Sequence, residues 1–339
     1  MDPPQHGEVK VRLAATAICH SDVHFIRSEW IGTTPVVVGH EAAGYVEEVG
    51  QGVTNVKPDD PVVTSLLRSC GRCFFCTTGS PQLCEFDFPL NTQSRLRNAK
   101  GDIVWHGVRT AAFAEYTIVD QTQVVRIPES LPMDQASLLA CGVITGMGAV
   151  VNTAAVKPGN SVVVIRVGGV GLNSVQGAAI AGANPIIAID LLEDKLDAAR
   201  AFGATDTVNA TADVKGEVTK ITSGLGADFV FVTVGSSAAV EQGFELLRKG
   251  GTEVIVGIPS EGTTMTIPLT TFPGGERRII GSFMGSTRLS VDIPRLVGLY
   301  ESGRLKLEDL ISGRYLLERI NEAIESMECG MALRNVIVF

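Results

Sequence analysis

Between residue 7 and about residue 130 the chain consists of short apolar and β-branched runs broken by Gly, Pro and Asp: GEVKVRLAA, AAGYVEEVG, DPVVTSLL, AEYTIVD and QVVRIP. Runs of that length, bounded by turn formers, predict an antiparallel, partly barrel-like β domain. From about residue 143 the pattern becomes strand alternating with helix. SVVVIRV (161–167) is an apolar β-branched run, GLNSVQGAAIAGA (171–183) an Ala-rich helix and PIIAID (185–190) a strand again. Helix LEDKLDAARAFG, strand TDTVN, helix ADVKGEVTKIT, strand DFVFVTVG, helix AAVEQGFELLRKG and strands TEVIVGIP and RIIGSFM follow. This alternation predicts an α/β unit with a doubly wound parallel sheet of about six strands. The tail adds helices IPRLVGLYESGRL and LERINEAIESM and a closing strand, RNVIVF.

Composition narrows the class. A chain of 339 residues exceeds one ordinary core, so two domains are expected. With 45% hydrophobic and 19% charged residues it reads as a soluble globular protein. The net charge of −9, with no stretch that concentrates Lys and Arg, argues against nucleic acid or an anionic membrane as partner. The start, MDPPQHGEVKV, lacks a basic head and an apolar run, so no secretory leader is expected. Val167 to Ile189 is uncharged, but its glycines, Pro185 and Asn184 suit turn, helix and strand better than a bilayer helix. The expected compartment is the cytoplasm, where clustered cysteines more often bind metal than form disulfides.

VIRVGGVGLN follows a strand and opens a helix, the setting a Rossmann dinucleotide fingerprint requires. Gly168, Gly169, Val170 and Gly171 form the turn, whose helix N-terminus attracts a pyrophosphate. Asp190 ends the next strand, where a carboxylate accepts bonds from the adenosine ribose and favours NAD over NADP. Arg166 stands where the fingerprint has its first glycine. Its bulk opposes close cofactor approach, or else its charge lies along the pyrophosphate; the sequence leaves both open.

Cys70, Cys73, Cys76 and Cys84 follow C-x2-C-x2-C-x7-C, a spacing that brings thiolates to the corners of a tetrahedron. Zinc accepts such a cage with no open position, which makes the site structural. An iron–sulfur cluster is the second reading, weakened by the long last gap, and a disulfide pair is the third. Cys19, in AICHSDVH, and Cys141, in LLACGVITG, are taken singly as buried thiols.

With CHSDVH, GHEAAGYVEEVGQGVTNVKP, the four-cysteine lobe, ACGVITGMGAV, VGGVGLN and ALRNVIVF in this order, the chain resembles the zinc-dependent medium-chain alcohol dehydrogenases. The resemblance implies a GroES-like catalytic domain over 1–142 with a structural-zinc lobe at 69–85, a Rossmann domain over 143–283, and a return segment, 284–339, completing the catalytic domain. It makes Cys19, His40 and Cys141 ligands of a catalytic zinc, with Glu41 the neighbouring carboxylate and Asp22 the carboxylate that orients His40. Zinc as a Lewis acid lowers the pKa of an alcohol, so that hydride passes to the nicotinamide. Ser21 would accept the proton and His24 release it. His20 and Arg334 would face the pyrophosphate, and Asp190 and Lys195 the adenosine ribose. Trp30 and Leu66 would wall the pocket for a small alcohol, aldehyde or ketone. The resemblance further implies two zinc ions per chain, NAD, and a homodimer or homotetramer.

The chain departs from that pattern at Arg166, at Ala17, and at Asp59 and Pro61, where Asp59 must make a turn that glycine makes easily. Its start also falls just before the PP..GEV segment, so an edge strand pair of the β domain is expected to be missing. These departures keep two alternatives in view: a zinc-binding relative with impaired or no catalysis, and an NADP-preferring carbonyl reductase. The zinc-free quinone and enone reductases lack the Cys19, His40, Cys141 set.

Overall fold

A computed structural model describes residues 1–30, 32–330 and 332–339. It divides into two compact units, Met1–Gly142 with Arg288–Phe339, and Val143–Thr287. The first is built around the strand Glu8–Ala17. Val9, Val11 and Leu13 point inward from it while Lys10 and Arg12 point toward solvent, the period-two alternation of a half-buried strand. Along one side it pairs antiparallel with Glu41–Val49. Its other side is shared: Glu8–Arg12 pair with Tyr116–Asp120, and Ala15–Ala17 pair with Val336–Val338 of the closing strand Arg334–Val338. The C-terminal segment is therefore a structural part of this unit. Pro61–Thr64 and Val124–Arg126 extend the sheet beyond Glu41–Val49, and Ile311–Leu316 extends it beyond Arg334–Val338. Val9, Val11, Leu13, Ala42, Val46, Val62, Val119 and Val124 close its core.

The second unit carries the parallel sheet. Its six strands lie in the order Asp206–Asn209, Ile186–Asp190, Val162–Ile165, Ala227–Val232, Leu247–Ile255, Arg278–Gly281. All five pairings are parallel, so the order reverses beside Val162–Ile165, the position where doubly wound sheets bind ligands.

Two local expectations need correction. The helix read through residue 250 ends at Glu245, and a strand begins at Leu247, because Leu246 and Leu247 are buried and Leu247 pairs in register with Ala227. Residues 284–287, read as part of the return segment, belong to the second unit: the Thr145 hydroxyl contacts Met284 Sδ at 3.7 Å, and Gly285 lies against the backbone of Ile144 and Gly148. Among the described residues, the helical stretch long and apolar enough to cross a membrane is Met133–Thr153, with 83% of its apolar window buried in the protein. Val167 to Ile189 folds as turn, helix Gly169–Ile180 and strand Ile186–Asp190.

Candidate active site and metal centres

Cys19 is the N-cap of the helix His20–Ile26, and Asp22 is the third residue of that helix. Asp22 is fully buried and satisfied on both oxygens. Its Oδ2 accepts from the Cys19 backbone N–H at 3.1 Å, and its Oδ1 accepts from the Gly39 N–H at 3.0 Å and from His40 Nδ1 at 2.9 Å. One carboxylate thus ties the Cys19 turn to the strand that carries His40 and Glu41. Gly39 has φ +94, and an added Cβ would meet the Phe113 backbone N at 2.7 Å, so only glycine lets the chain deliver His40 here. Cys141 arrives in a π turn, Leu139–Val143, of the long apolar helix. Wide turns of this kind recur where helices present functional side chains.

The result is a buried group, Cys19, His40, Glu41 and Cys141, whose ligand atoms all lie within 4.8 Å of one another. His40 Nε2 is buried with no hydrogen-bond partner, while Nδ1 is engaged by Asp22. An orphaned imidazole nitrogen among two sulfurs and a carboxylate fits a zinc ion. Without an ion the two thiols are unequal: the hydrogen bond to Cys19, and then burial, push Cys141 well above the ordinary thiol range. A hydrogen bond from the Cys141 thiol, opposed by burial and helped by His40 and Arg334, holds Cys19 well below the ordinary thiol range. Burial opposes charge on His40, yet Asp22 and Cys19 outweigh it and raise its pKa. Burial pushes Glu41 up to about 7 against the pull of Arg334. Glu41 Oε2 accepts from the Gly142 N–H at 3.1 Å, and Oε1 accepts from the Arg334 guanidinium.

The lobe cysteines form a second group. Cys70, Cys73, Cys76 and Cys84 also lie within 4.8 Å of one another. The Cys73 N–H donates to Cys70 Sγ and the Cys70 N–H donates to Cys84 Sγ, each at 3.3 Å. The Cys76 N–H, against a smaller effect of burial, lowers Cys73 to about 6, and burial raises Cys76 to about 12. Four sulfurs with no other donor fit a closed zinc cage. Cys329 is exposed and belongs to neither group.

In the second unit the strand Val162–Ile165 runs through Arg166, Val167 and Gly168 into the helix Gly169–Ile180. Gly168 is the N-cap and has open space where a Cβ would stand. A Cβ on Gly171 would meet the Arg166 carbonyl at 2.1 Å. The turn therefore leaves a backbone cradle at a helix N-terminus, which fits a dinucleotide pyrophosphate.

Residues 5–129 match the alcohol dehydrogenase GroES-like domain family, and residues 169–302 match the zinc-binding dehydrogenase family. The NDMA-dependent alcohol dehydrogenase of Amycolatopsis methanolica is 36% identical over 350 residues, covering 100% of this chain and 93% of the relative. The chain belongs to the zinc-dependent medium-chain alcohol dehydrogenases. Benzyl alcohol dehydrogenase from Acinetobacter calcoaceticus shares the fold with a TM-score of 0.92 at 31% identity, over 100% of this chain and 94% of that one. A zinc-binding dehydrogenase from Sinorhizobium meliloti 1021 bound to NADP does so with a TM-score of 0.84 at 28% identity, over 99% and 93%. Zinc and a nicotinamide nucleotide are the cofactors of this family.

In this medium-chain alcohol dehydrogenase the remaining expected residues fall in different places. Ser21 is partly buried on the first turn of the helix His20–Ile26, next to exposed His20. His24, one turn on, is hydrogen-bonded through Nδ1 to Glu29 and stacked on Trp30 with ring centroids 5.1 Å apart. Trp30, expected as a pocket wall, is thus a partner of His24. Glu29 was not read from the sequence, since an acid five residues from a histidine has no regular helical partner geometry. Leu66 is partly buried just after the strand Pro61–Thr64, and Lys195 is partly buried on the helix Glu193–Ala201. Two residues expected at the cofactor are engaged within the chain. Arg334, expected at the pyrophosphate, is buried and engaged by Glu41, because a carboxylate buried at that depth needs a counter-charge. Asp190, expected at the ribose, is only 1% exposed and spends its oxygens on backbone. Oδ2 accepts from the Val167 N–H at 2.9 Å, and Oδ1 accepts from Leu191 and Leu192 at 2.8 and 3.2 Å.

Proposed function

We propose that the chain interconverts a primary or secondary alcohol with its aldehyde or ketone, using a catalytic zinc held by Cys19, His40 and Cys141 and NAD seated on the Gly168–Gly171 turn. The observation that carries this reading is the buried, partnerless His40 Nε2 among Cys19, Glu41 and Cys141. A zinc ion held by Cys19, His40 and Cys141 would supply Lewis acidity toward an alcohol oxygen, and a bound nicotinamide would supply the hydride acceptor. The chain's own residues do the rest. Asp22 accepts from Nδ1 and so fixes the tautomer that leaves the Nε2 lone pair for the metal. Cys19, whose pKa is lowered, is ready to ligate as thiolate. Glu41 is held beside the donors by Arg334 and the Gly142 N–H and would be a further oxygen donor to the ion. Ser21 would take the alcohol proton. His24, one turn away on the same helix face and partly exposed, would pass it to solvent, with Glu29 hydrogen-bonded to its Nδ1 and holding the ring in place.

The second zinc would sit in the Cys70, Cys73, Cys76, Cys84 lobe as a structural ion. Two groups of reduced thiols suit a cytoplasmic setting. A homodimer or homotetramer is supported by the edge strand Arg278–Gly281, which has one neighbour among the described residues, and by exposed Leu269 and Phe283 nearby in sequence.

The test is turnover of an alcohol panel that includes benzyl alcohol, with NAD, NADP or NDMA as acceptor, alongside metal analysis. Formation of reduced NAD that is lost on zinc removal and restored by zinc supports the reading. No turnover by zinc-replete protein with any acceptor would refute it.

A further inference from the structure

The dinucleotide turn contains one side chain that the function above does not use. Arg166 occupies the first glycine position of the fingerprint with φ +69, a left-handed conformation that side chains other than Gly, Asn and Asp rarely adopt. Its guanidinium does not extend away from the strand end: Nη1 stands 3.5 Å from Asp190 Oδ1. That contact is long, and the carboxylate already accepts three backbone N–H groups, from Val167, Leu191 and Leu192. Asp190 is closed off at 1% exposure, whereas the Arg166 side chain is 42% exposed.

A free carboxylate at the end of this strand discriminates between nucleotides in two ways. It accepts from the ribose 2′-hydroxyl, and it repels a 2′-phosphate. Here both effects are blunted. The acceptor sites are taken by the chain's own backbone, and a permanent cation covers the negative charge. A guanidinium offers five N–H donors, and the contact to Asp190 uses one of them, so the rest can receive phosphate oxygens. Lys195, on the helix that follows, adds a second cation on the same loop-to-helix segment, while Glu193 and Asp194 at the start of that helix oppose it. Glu193 is engaged by Asn209 Nδ2, which turns one of these acids toward the neighbouring strand. A plain surface ion pair would explain the proximity of Arg166 and Asp190. It would not explain why a bulky residue is kept in a glycine conformation to reach a carboxylate that needs no further donor.

We propose that Arg166 is a specificity-determining residue that admits the 2′-phosphate, so that the enzyme binds NADP as well as NAD. This rests on the dinucleotide reading of the Gly168–Gly171 turn. The test is equilibrium binding of NAD and of NADP to the zinc-replete enzyme by calorimetry at fixed ionic strength, for wild type, Arg166→Gly and Arg166→Lys. Arg166→Gly restores the residue this backbone favours, so a folded variant is expected. Wild type is expected to bind the two nucleotides within about tenfold of each other, and Arg166→Gly to raise the ratio Kd(NADP)/Kd(NAD) by roughly ten- to a hundredfold, the scale of a charge-assisted hydrogen bond. Arg166→Lys is expected to keep most of the wild-type ratio. An unchanged ratio in Arg166→Gly overturns the proposal, as does a wild type that binds NAD but not NADP; in either case the dinucleotide reading stands. Failure of wild type to bind either nucleotide overturns both.

Discussion

At the scale of single residues, Asp22 organises the centre without touching the metal position. It accepts from Cys19, Gly39 and His40, so its loss frees the imidazole to rotate and loosens the Cys19 turn together. Asp22→Asn is expected to weaken zinc binding about 10- to 100-fold in a chelator competition, the usual cost of losing such a partner; an unchanged affinity would contradict this role. Glu253 behaves differently. It is fully buried in the second unit, neither carboxylate oxygen has a partner among the described residues, and burial raises its pKa to about 8. Between its ordinary value of 4.5 and about 8 the folded chain holds a proton that the unfolded chain has lost, so stability falls as pH rises through that window. The slope is about 1.4 kcal/mol per pH unit for one such group. Glu253→Gln is expected to remove this slope. Its melting temperature should therefore gain on wild type steadily from about pH 5 to about pH 8, and a constant difference across that range would contradict the assignment. The residue scale is also where sequence reading stopped short. The cysteine spacings and the tie between Asp22 and His40 were legible, the first by pattern and the second by resemblance. The direction taken by Arg166 was not, because it depends on a left-handed φ that no local propensity signals in an arginine.

At the scale of elements, the runs with a clean period gave themselves away. The alternation in Glu8–Ala17 and the strand–helix repeat from Val162 onward correspond to the observed strands and helices. The miss at Leu246 has a simple physical cause: AAVEQGFELLRKG favours helix locally, but Leu247 gains more by burial and pairing with Ala227 in the sheet. Asp59 behaves as its position demands, with φ +68 in a turn that glycine would make without strain. Asp59→Gly is therefore expected to raise stability by roughly 0.5–1 kcal/mol in thermal or denaturant unfolding; a loss of stability would mean that the aspartate side chain has a role of its own. The four-cysteine lobe is an element with almost no core: the helix Phe74–Thr77 contains no buried residue and Phe74 is 72% exposed. An ion must replace the missing apolar packing. Stripping the structural metal is expected to open residues 70–84 to limited proteolysis; full protection of the metal-free lobe would show that it is held by other means.

At the scale of the molecule, the candidate centre collects residues that are remote in sequence. Cys19 follows the central strand, His40 and Glu41 open its neighbour, Cys141 comes from a helix a hundred residues later, and Arg334 from the closing strand 293 residues beyond Glu41. Each pattern was visible in the sequence, but the meeting of Glu41 with Arg334 was not, because only the pairing of the closing strand with Ala15–Ala17 brings them together. The central claim is that two sulfurs and one imidazole from these segments hold a catalytic ion distinct from the one in the lobe. Zinc content per folded chain, measured for wild type and for His40→Ala with folding verified by circular dichroism, tests it most directly. The expected result is about two zinc ions in wild type and about one in His40→Ala, with the remaining ion in the lobe; equal zinc content in the two proteins would contradict the claim.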